Sequence, residues 1–128
     1  LSATAVNGDT WDEKLREGLK NGRFQGIFAS PEMCLQHKGF RRFLSTKLRD
    51  VCAIIVDEAH CISQWGGDFR EAYAKLKDLR TFVPPEIPVL ATSATLCPSS
   101  LKDVKSCLGL DLNTGFHLNL GNDRPNIT

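Results

Sequence analysis

Asp57 and Glu58 stand side by side directly after the apolar run Ile54-Ile55-Val56, and Ala59-His60 follow them. Two adjacent carboxylates at the carboxyl end of a buried strand can divide one reaction between them. A hard cation such as Mg²⁺ takes oxygen ligands and keeps several of its waters, so one carboxylate can hold it. The second can polarise a water that attacks a phosphoryl group. Taken alone, such a pair is more often two solvated charges opening a loop. His60 alone is likewise more often a packed or exposed imidazole than a working one. No H-E-x-x-H or comparable spacing accompanies it, so zinc has no support.

Three other stretches carry chemistry. Ser63 to Arg70 presents Trp65, Phe69 and Arg70 in a polar, glycine-containing segment. Aromatic faces stack on unpaired bases at about 1–3 kcal/mol each with little sequence preference, and a guanidinium adds a phosphate contact or stacks on a base. The competing reading is that Trp65 and Phe69 fill a core under the loop. Ala91-Thr92-Ser93-Ala94-Thr95 places hydroxyls between a strand and a helix, where they can bond a neighbouring catalytic loop or cap the helix, with Ser99 and Ser100 also available as caps. Ser30-Pro31-Glu32 has a cap hydroxyl, Pro at the first helical position and an acid in the first turn. A helix start of that kind can receive a phosphate.

The elements that must position these groups alternate between short apolar runs and helical patterns. Strands are expected at Leu1 to Val6, Phe24 to Ala29, Val51 to Val56 and Pro88 to Thr92, with a further one at Phe116 to Leu120. Helices are expected from about Trp11 to Asn21, capped by Asp9 or Thr10, and from Ser30 to about Leu48 with a break near Lys38-Gly39. Two more follow: Glu71 to Phe82, with Leu76, Leu79 and Val83 as its apolar stripe, and Pro98 to Leu108, closed by Gly109. Strand–helix alternation with near-continuous apolar strands means an α/β fold with a parallel sheet covered on both faces. Ligands of such sheets bind beyond the carboxyl ends of the strands, which is where Asp57 and Glu58 fall.

The bulk composition sets limits. One domain suits 128 residues. Sixteen basic against fifteen acidic residues give a net charge of +1, which by itself argues for no nucleic-acid partner. No apolar run nears the roughly 20 residues of a membrane span, and Leu1-Ser2-Ala3-Thr4-Ala5-Val6 lacks the basic flank of a signal peptide. The five cysteines, Cys34, Cys52, Cys61, Cys97 and Cys107, are odd in number and form no C-x-x-C pair. Free, buried thiols in a reducing compartment are expected, rather than disulfides or a zinc site.

The run Val56-Asp57-Glu58-Ala59-His60, continued through Cys61-Ile62-Ser63-Gln64-Trp65-Gly66-Gly67-Asp68-Phe69-Arg70, resembles motif II and the aromatic-rich loop of RecQ-family DNA helicases of superfamily 2. Ala91 to Thr95 resembles motif III and Ser30-Pro31-Glu32 motif Ib. Asp123-Arg124-Pro125-Asn126-Ile127 resembles the segment leading to a second motor domain. The resemblance spans nearly the whole chain. It implies a three-layer, parallel-sheet RecA-like domain of the P-loop NTPase type, present in part over residues 1–128. It implies an ATP-dependent 3′-to-5′ DNA helicase that couples hydrolysis to translocation on single-stranded DNA and to unwinding of duplex DNA. ATP and Mg²⁺ are its implied cofactors, with location in the nucleus of a eukaryote or otherwise the cytoplasm. Asp57 would hold the Mg²⁺ of MgATP through water, Glu58 would orient the hydrolytic water, and His60 would link the nucleotide site to neighbouring motifs. Ser30, Gln64, Trp65, Asp68, Phe69, Arg70, Ser93 and Thr95 would bind DNA or couple it to hydrolysis. The chain departs from the family pattern at Gly67, where His is usual, at Ala72, where Pro is usual, and mildly at Ser93. The first of these puts coupling in question more than fold.

No G-x-x-x-x-G-K-[ST] run occurs, and there is no Gly-Lys pair anywhere. The phosphate cradle and its lysine are therefore expected upstream of Leu1, and a second motor domain with an arginine finger after Thr128. The start at Leu1, without Met, fits a fragment. This polypeptide alone is expected not to hydrolyse ATP. A catalytically inactive remnant that binds DNA or a partner is the alternative. A third reading, an RNA helicase of the DEAH or DEAD groups, is opposed by the Trp65 loop.

Overall fold

The computed structural model describes residues 1–47, 50–64, 70–111, 113 and 115–121. The chain divides into two compact units, Leu1–Asp50 and Val51–Thr128, and each contains one parallel pair of strands.

In the first unit β1 (Ala3–Val6) lies parallel to β2 (Gly26–Ala29), with Val6 opposite Ala29. The connection runs through α1 (Glu13–Lys20), which starts later than its sequence suggests because Asp12 is the cap: its side chain accepts the N–H of Leu15 at 2.7 Å. Asp9 and Thr10 are not the cap. Asn7 Oδ1 accepts the N–H groups of both Asp9 and Thr10, and Thr10 Oγ1 accepts the N–H of Asn7, so both residues belong to the preceding turn and the Thr10 hydroxyl is spent there. After β2 come α2 (Pro31–Gln36) and α3 (Lys38–Lys47). The break between them falls at His37, whose backbone is extended and whose Nδ1 accepts the N–H of Phe40 at 3.2 Å, so one residue both ends α2 and caps α3. The core is Val6, Leu19, Met33 and Phe40, with Trp11, Phe24 and Phe43 packed against it. Trp11 meets Phe40 edge-on at 5.3 Å, the geometry that aromatic quadrupoles favour. Glycine is required at position 39, where a Cβ would stand 2.9 Å from the indole nitrogen of Trp11.

In the second unit β3 (Ile54–Val56) lies parallel to β4 (Val89–Ala91), with Val56 opposite Ala91. A 3-10 helix (Ala59–Ile62) follows β3. Then come α4 (Glu71–Ala74), α5 (Leu76–Arg80) and, after β4, α6 (Pro98–Leu108). The helix expected over Glu71 to Phe82 is thus split at Lys75. The Cys107 thiol donates there to the carbonyls of Ala74 (3.5 Å) and Tyr73 (3.9 Å), giving the last carbonyls of α4 an outside donor. α6 begins at the expected Pro98 and ends at Gly109, whose φ of 63° is the left-handed closure that glycine reaches without strain. Its N-cap is Cys97, not a serine, and makes no side-chain capping bond. Against the expectation of buried thiols, Cys97 and Cys52 are exposed, because each lies in a connecting segment and not on a core face. Val56, Ala59, Ile62, Leu76, Val104 and Leu108 form an aliphatic core.

The α/β class and the parallel pairing agree with the sequence reading. Within each unit of this partial domain, one face of the strand pair packs on the core and the other carries exposed apolar side chains. Ile55 and Leu90, opposite each other in register, are 65% and 54% exposed, and Phe28 of β2 is 69% exposed. Side chains alternate along a strand, so the neighbours Val56 and Val6 enter the cores while these do not. One expectation needs correction: Phe116 to Leu120 form no strand, and Phe116, Leu118 and Leu120 are exposed. Their alternation is a strand pattern, but a strand exists only where a neighbour takes up its N–H and C=O groups. No described residue does so. Asp123 to Ile127 lie outside the described residues.

Candidate functional site

The parallel register decides the site. Since Val56 stands opposite Ala91, the next residues of each strand, Asp57 and Thr92, come out side by side. The chains remain stitched beyond the strand ends: Thr92 N–H donates to Val56 O and Ala59 N–H to Thr92 O, both at 2.9 Å. The Thr92 hydroxyl then donates to Asp57 Oδ1 at 2.8 Å, and the Glu58 N–H donates to the same oxygen at 2.9 Å. Bonds to the charged form favour it. The Thr92 hydroxyl first, and the Glu58 amide second, hold the exposed Asp57 carboxyl below its usual range. Both donors fall on Oδ1, and no hydrogen bond from a described residue reaches Oδ2.

Glu58 has φ 50° and ψ 41°, the only left-handed non-glycine conformation among the described residues. This costs about 1–2 kcal/mol, and such strain is characteristically kept at functional positions. The turn brings Glu58 Oε2 to 3.2 Å from His60 Nδ1, and that nitrogen lies 3.0 Å from Ser93 Oγ. Ser93 Oγ in turn donates to the carbonyl of Thr95 and accepts its N–H, both at 3.3 Å. Asp57, Glu58, His60, Ser93 and Thr95, separated by as many as 38 positions, thus gather at the carboxyl ends of β3 and β4.

Four contributors escaped the sequence reading. Thr92 was visible as one hydroxyl in a run, but only the strand register singles it out. Cys61 lies with its sulfur 3.7 Å from His60 Nε2. Ser63, 1% exposed, donates to Asp103 Oδ2 of α6 at 2.6 Å, which anchors the 3-10 helix. No signal in the sequence links positions 63 and 103.

The remaining expected residues divide as follows. Arg70 caps α4, its side chain is exposed, and its N–H donates to Cys61 O at 3.2 Å. Gln64 is exposed at the end of the 3-10 helix. Trp65, Asp68 and Phe69, with Gly67, lie outside the described residues. Ser30 belongs to the first unit, where its hydroxyl accepts the N–H of Met33 at 3.2 Å. Ala72, where the family pattern has Pro, is buried in the first turn of α4, a place where either residue is compatible with helix.

An exposed, firmly ionised Asp57 with one oxygen oriented by two donors and the other available suits a hard cation. Among the described residues no three His, Cys, Asp or Glu side chains converge as a metal cage. Mg²⁺ needs none, since it is commonly held by one or two carboxylates together with phosphate oxygens and water. No helix among the described residues is long and apolar enough to cross a membrane.

Comparison with known proteins identifies the family. The family model for DEAD/DEAH box helicases matches residues 1–104. The mouse "Bifunctional 3'-5' exonuclease/ATP-dependent helicase WRN" is 36% identical over 94% of the chain and 8% of its own length. An "ATP-dependent DNA helicase RecQ" of Haemophilus influenzae is 35% identical over 90% of the chain and 18% of its own length. A "Putative ATP-dependent RNA helicase R290" of Acanthamoeba polyphaga mimivirus is 34% identical over 99% of the chain and 23% of its own length. The chain therefore spans less than a quarter of each of these relatives.

Proposed function

Because the chain belongs to the DEAD/DEAH box helicase family, we propose that it forms the later part of the first RecA-like motor domain of a RecQ-type, ATP-dependent 3′-to-5′ DNA helicase. The observation that carries this reading is the joined pair Asp57–Thr92 and Glu58–His60–Ser93 at the carboxyl ends of two parallel strands. In it, Asp57 holds Mg²⁺, which supplies charge neutralisation at the phosphates of ATP when bound. Glu58 accepts a hydrogen bond from the attacking water and orients it. His60 and Ser93 tie the position of Glu58 to the segment leading into α6, so that a movement of that segment is felt at the carboxylate. The phosphate cradle and the second motor domain are supplied by sequence other than residues 1–128.

The partners are single-stranded and duplex DNA. Trp65, Phe69 and Arg70 stack on unpaired bases and contact phosphate, with Gln64 and Asp68 completing the loop and Ser30 and Thr95 contributing at their own motifs. The compartment is the one that holds the DNA, the nucleus in a eukaryote and the cytoplasm in a bacterium.

The test is a chimera in which this chain replaces the matching segment of the Haemophilus influenzae RecQ protein. We expect DNA-stimulated ATP hydrolysis and 3′-to-5′ unwinding, both lost with Glu58→Gln while nucleotide binding persists. Hydrolysis that is indifferent to Glu58→Gln would sink the assignment. Stimulation by RNA in place of DNA would move the substrate to RNA.

A further inference from the structure

We infer that Cys61 is a positioning residue that locks the ring of His60 into its Nδ1–H tautomer by donating its thiol proton to Nε2, an inference that rests on reading Glu58 and His60 as part of an ATPase site. Nδ1 faces two oxygens, Glu58 Oε2 at 3.2 Å and Ser93 Oγ at 3.0 Å. A carboxylate only accepts. Were Nδ1 bare, its lone pair would face the carboxylate's lone pairs at that distance with no hydrogen between them. The Ser93 hydroxyl has one proton, and the Thr95 carbonyl takes it at 3.3 Å. Its lone pairs are left to receive the N–H of Thr95 and one more donor. Both neighbours thus ask Nδ1 for a proton, and Nδ1–H serves them together.

In a neutral imidazole the other nitrogen is then an acceptor. Cys61 Sγ stands 3.7 Å from it, within reach of an S–H···N bond. The hydrogen bond at one ring nitrogen sets the proton at the other. Cys61, 4% exposed, is itself fixed by its backbone: its N–H donates to Glu58 O at 2.9 Å, and its carbonyl accepts the N–H of Arg70 at 3.2 Å. One residue therefore touches the carboxylate turn through its amide, the exit of the aromatic loop through its carbonyl and the imidazole through its thiol. Arg70, Cys61, His60 and Glu58 are thereby joined in one chain of contacts.

The experiment is a two-bond ¹H–¹⁵N correlation of the histidine side chains in the 128-residue chain, at a pH about two units above the ordinary imidazole value of ~6.5. His60 should show a pyridine-type Nε2 and a pyrrole-type Nδ1. Cys61→Ala should raise the ratio of Nε2–H to Nδ1–H roughly two- to ten-fold, the worth of one neutral hydrogen bond, drawing the two nitrogen frequencies together. Cys61→Ser, which keeps a donor, should move them less. A predominant Nε2–H tautomer in the unsubstituted chain overturns the proposal, and that measurement stands even if Cys61→Ala does not fold. Unchanged ¹⁵N frequencies in a folded Cys61→Ala chain overturn it as well. The tautomer is read without nucleotide, so an inactive chimera would count against the ATPase reading and leave this result untouched.

Discussion

The two units use one local grammar to opposite ends. Each has a parallel strand pair, one strand of which runs straight into a polar segment and a helical turn. After β2, Ser30 is extended, its hydroxyl is spent on the N–H of Met33, and Pro31 begins a relaxed helix. After β3, Glu58 is forced into a left-handed conformation, the 3-10 helix gets no side-chain cap, and the carboxylates of Asp57 and Glu58 remain exposed. The first arrangement satisfies the backbone. The second leaves backbone strain in place and points polar groups at one another and outward, which is what a site built for an absent reactant requires. Charge follows the same division. Nine basic and six acidic residues fall in 1–50, against seven and nine in 51–128, so a net charge near zero conceals a unit of +3 and one of −2. That balance favours anions at the first and a cation at the second.

The cores differ too. That of the first unit is organised by aromatic edges around Phe40, which is 1% exposed. Phe40→Ala should cost about 3–5 kcal/mol, measured by urea unfolding, with amide protection falling first in residues 1–47. Equal loss of protection in the second unit would break the division into units. Ser63→Ala removes the buried bond to Asp103 and should cost about 1–3 kcal/mol, with the loss of protection centred on 59–62 and α6. Ser30→Ala should cost about 1 kcal/mol of cap energy and leave the shifts of Asp57 and Thr92 unmoved. Glu58→Gly should go the other way, stabilising the chain by a few tenths to about 1 kcal/mol as the left-handed strain is released, while removing hydrolysis from the chimera. A destabilised Glu58→Gly chain would mean that position 58 is structural, like position 30.

The smallest effect concerns acid. Because the Thr92 hydroxyl and the Glu58 amide favour ionised Asp57, these bonds contribute their full stability above the ordinary carboxylate value of ~3.9 and lose it as pH falls through the lowered one. Thr92→Val should raise the Asp57 titration midpoint by NMR. Its stability deficit relative to the unsubstituted chain should be constant near neutrality and shrink in acid.

Local rules carried the reading furthest where the decisive partner is near in sequence. Pro98 and Gly109 bound α6 as expected, and Ser30-Pro31 begins α2, because helix starts and stops depend on side chains within a few residues. Asp9 and Thr10 do not cap α1 because Asn7 draws their N–H groups into a turn of their own, and which of several neighbouring polar groups closes a turn is not visible in composition. Phe116 to Leu120 carries a strand's alternation without a strand's partner.

What the sequence determined by itself is the chemistry available: two carboxylates at the end of an apolar strand, an imidazole two positions on, and hydroxyls at the end of another strand. What only the tertiary structure decided is which of them meet. The pairing of Val56 with Ala91 makes Thr92 the partner of Asp57 and Ser93 the partner of His60. Register is a property of two strands together, set by packing and by hydrogen bonds between segments about 35 residues apart, so no local pattern in either strand could fix it.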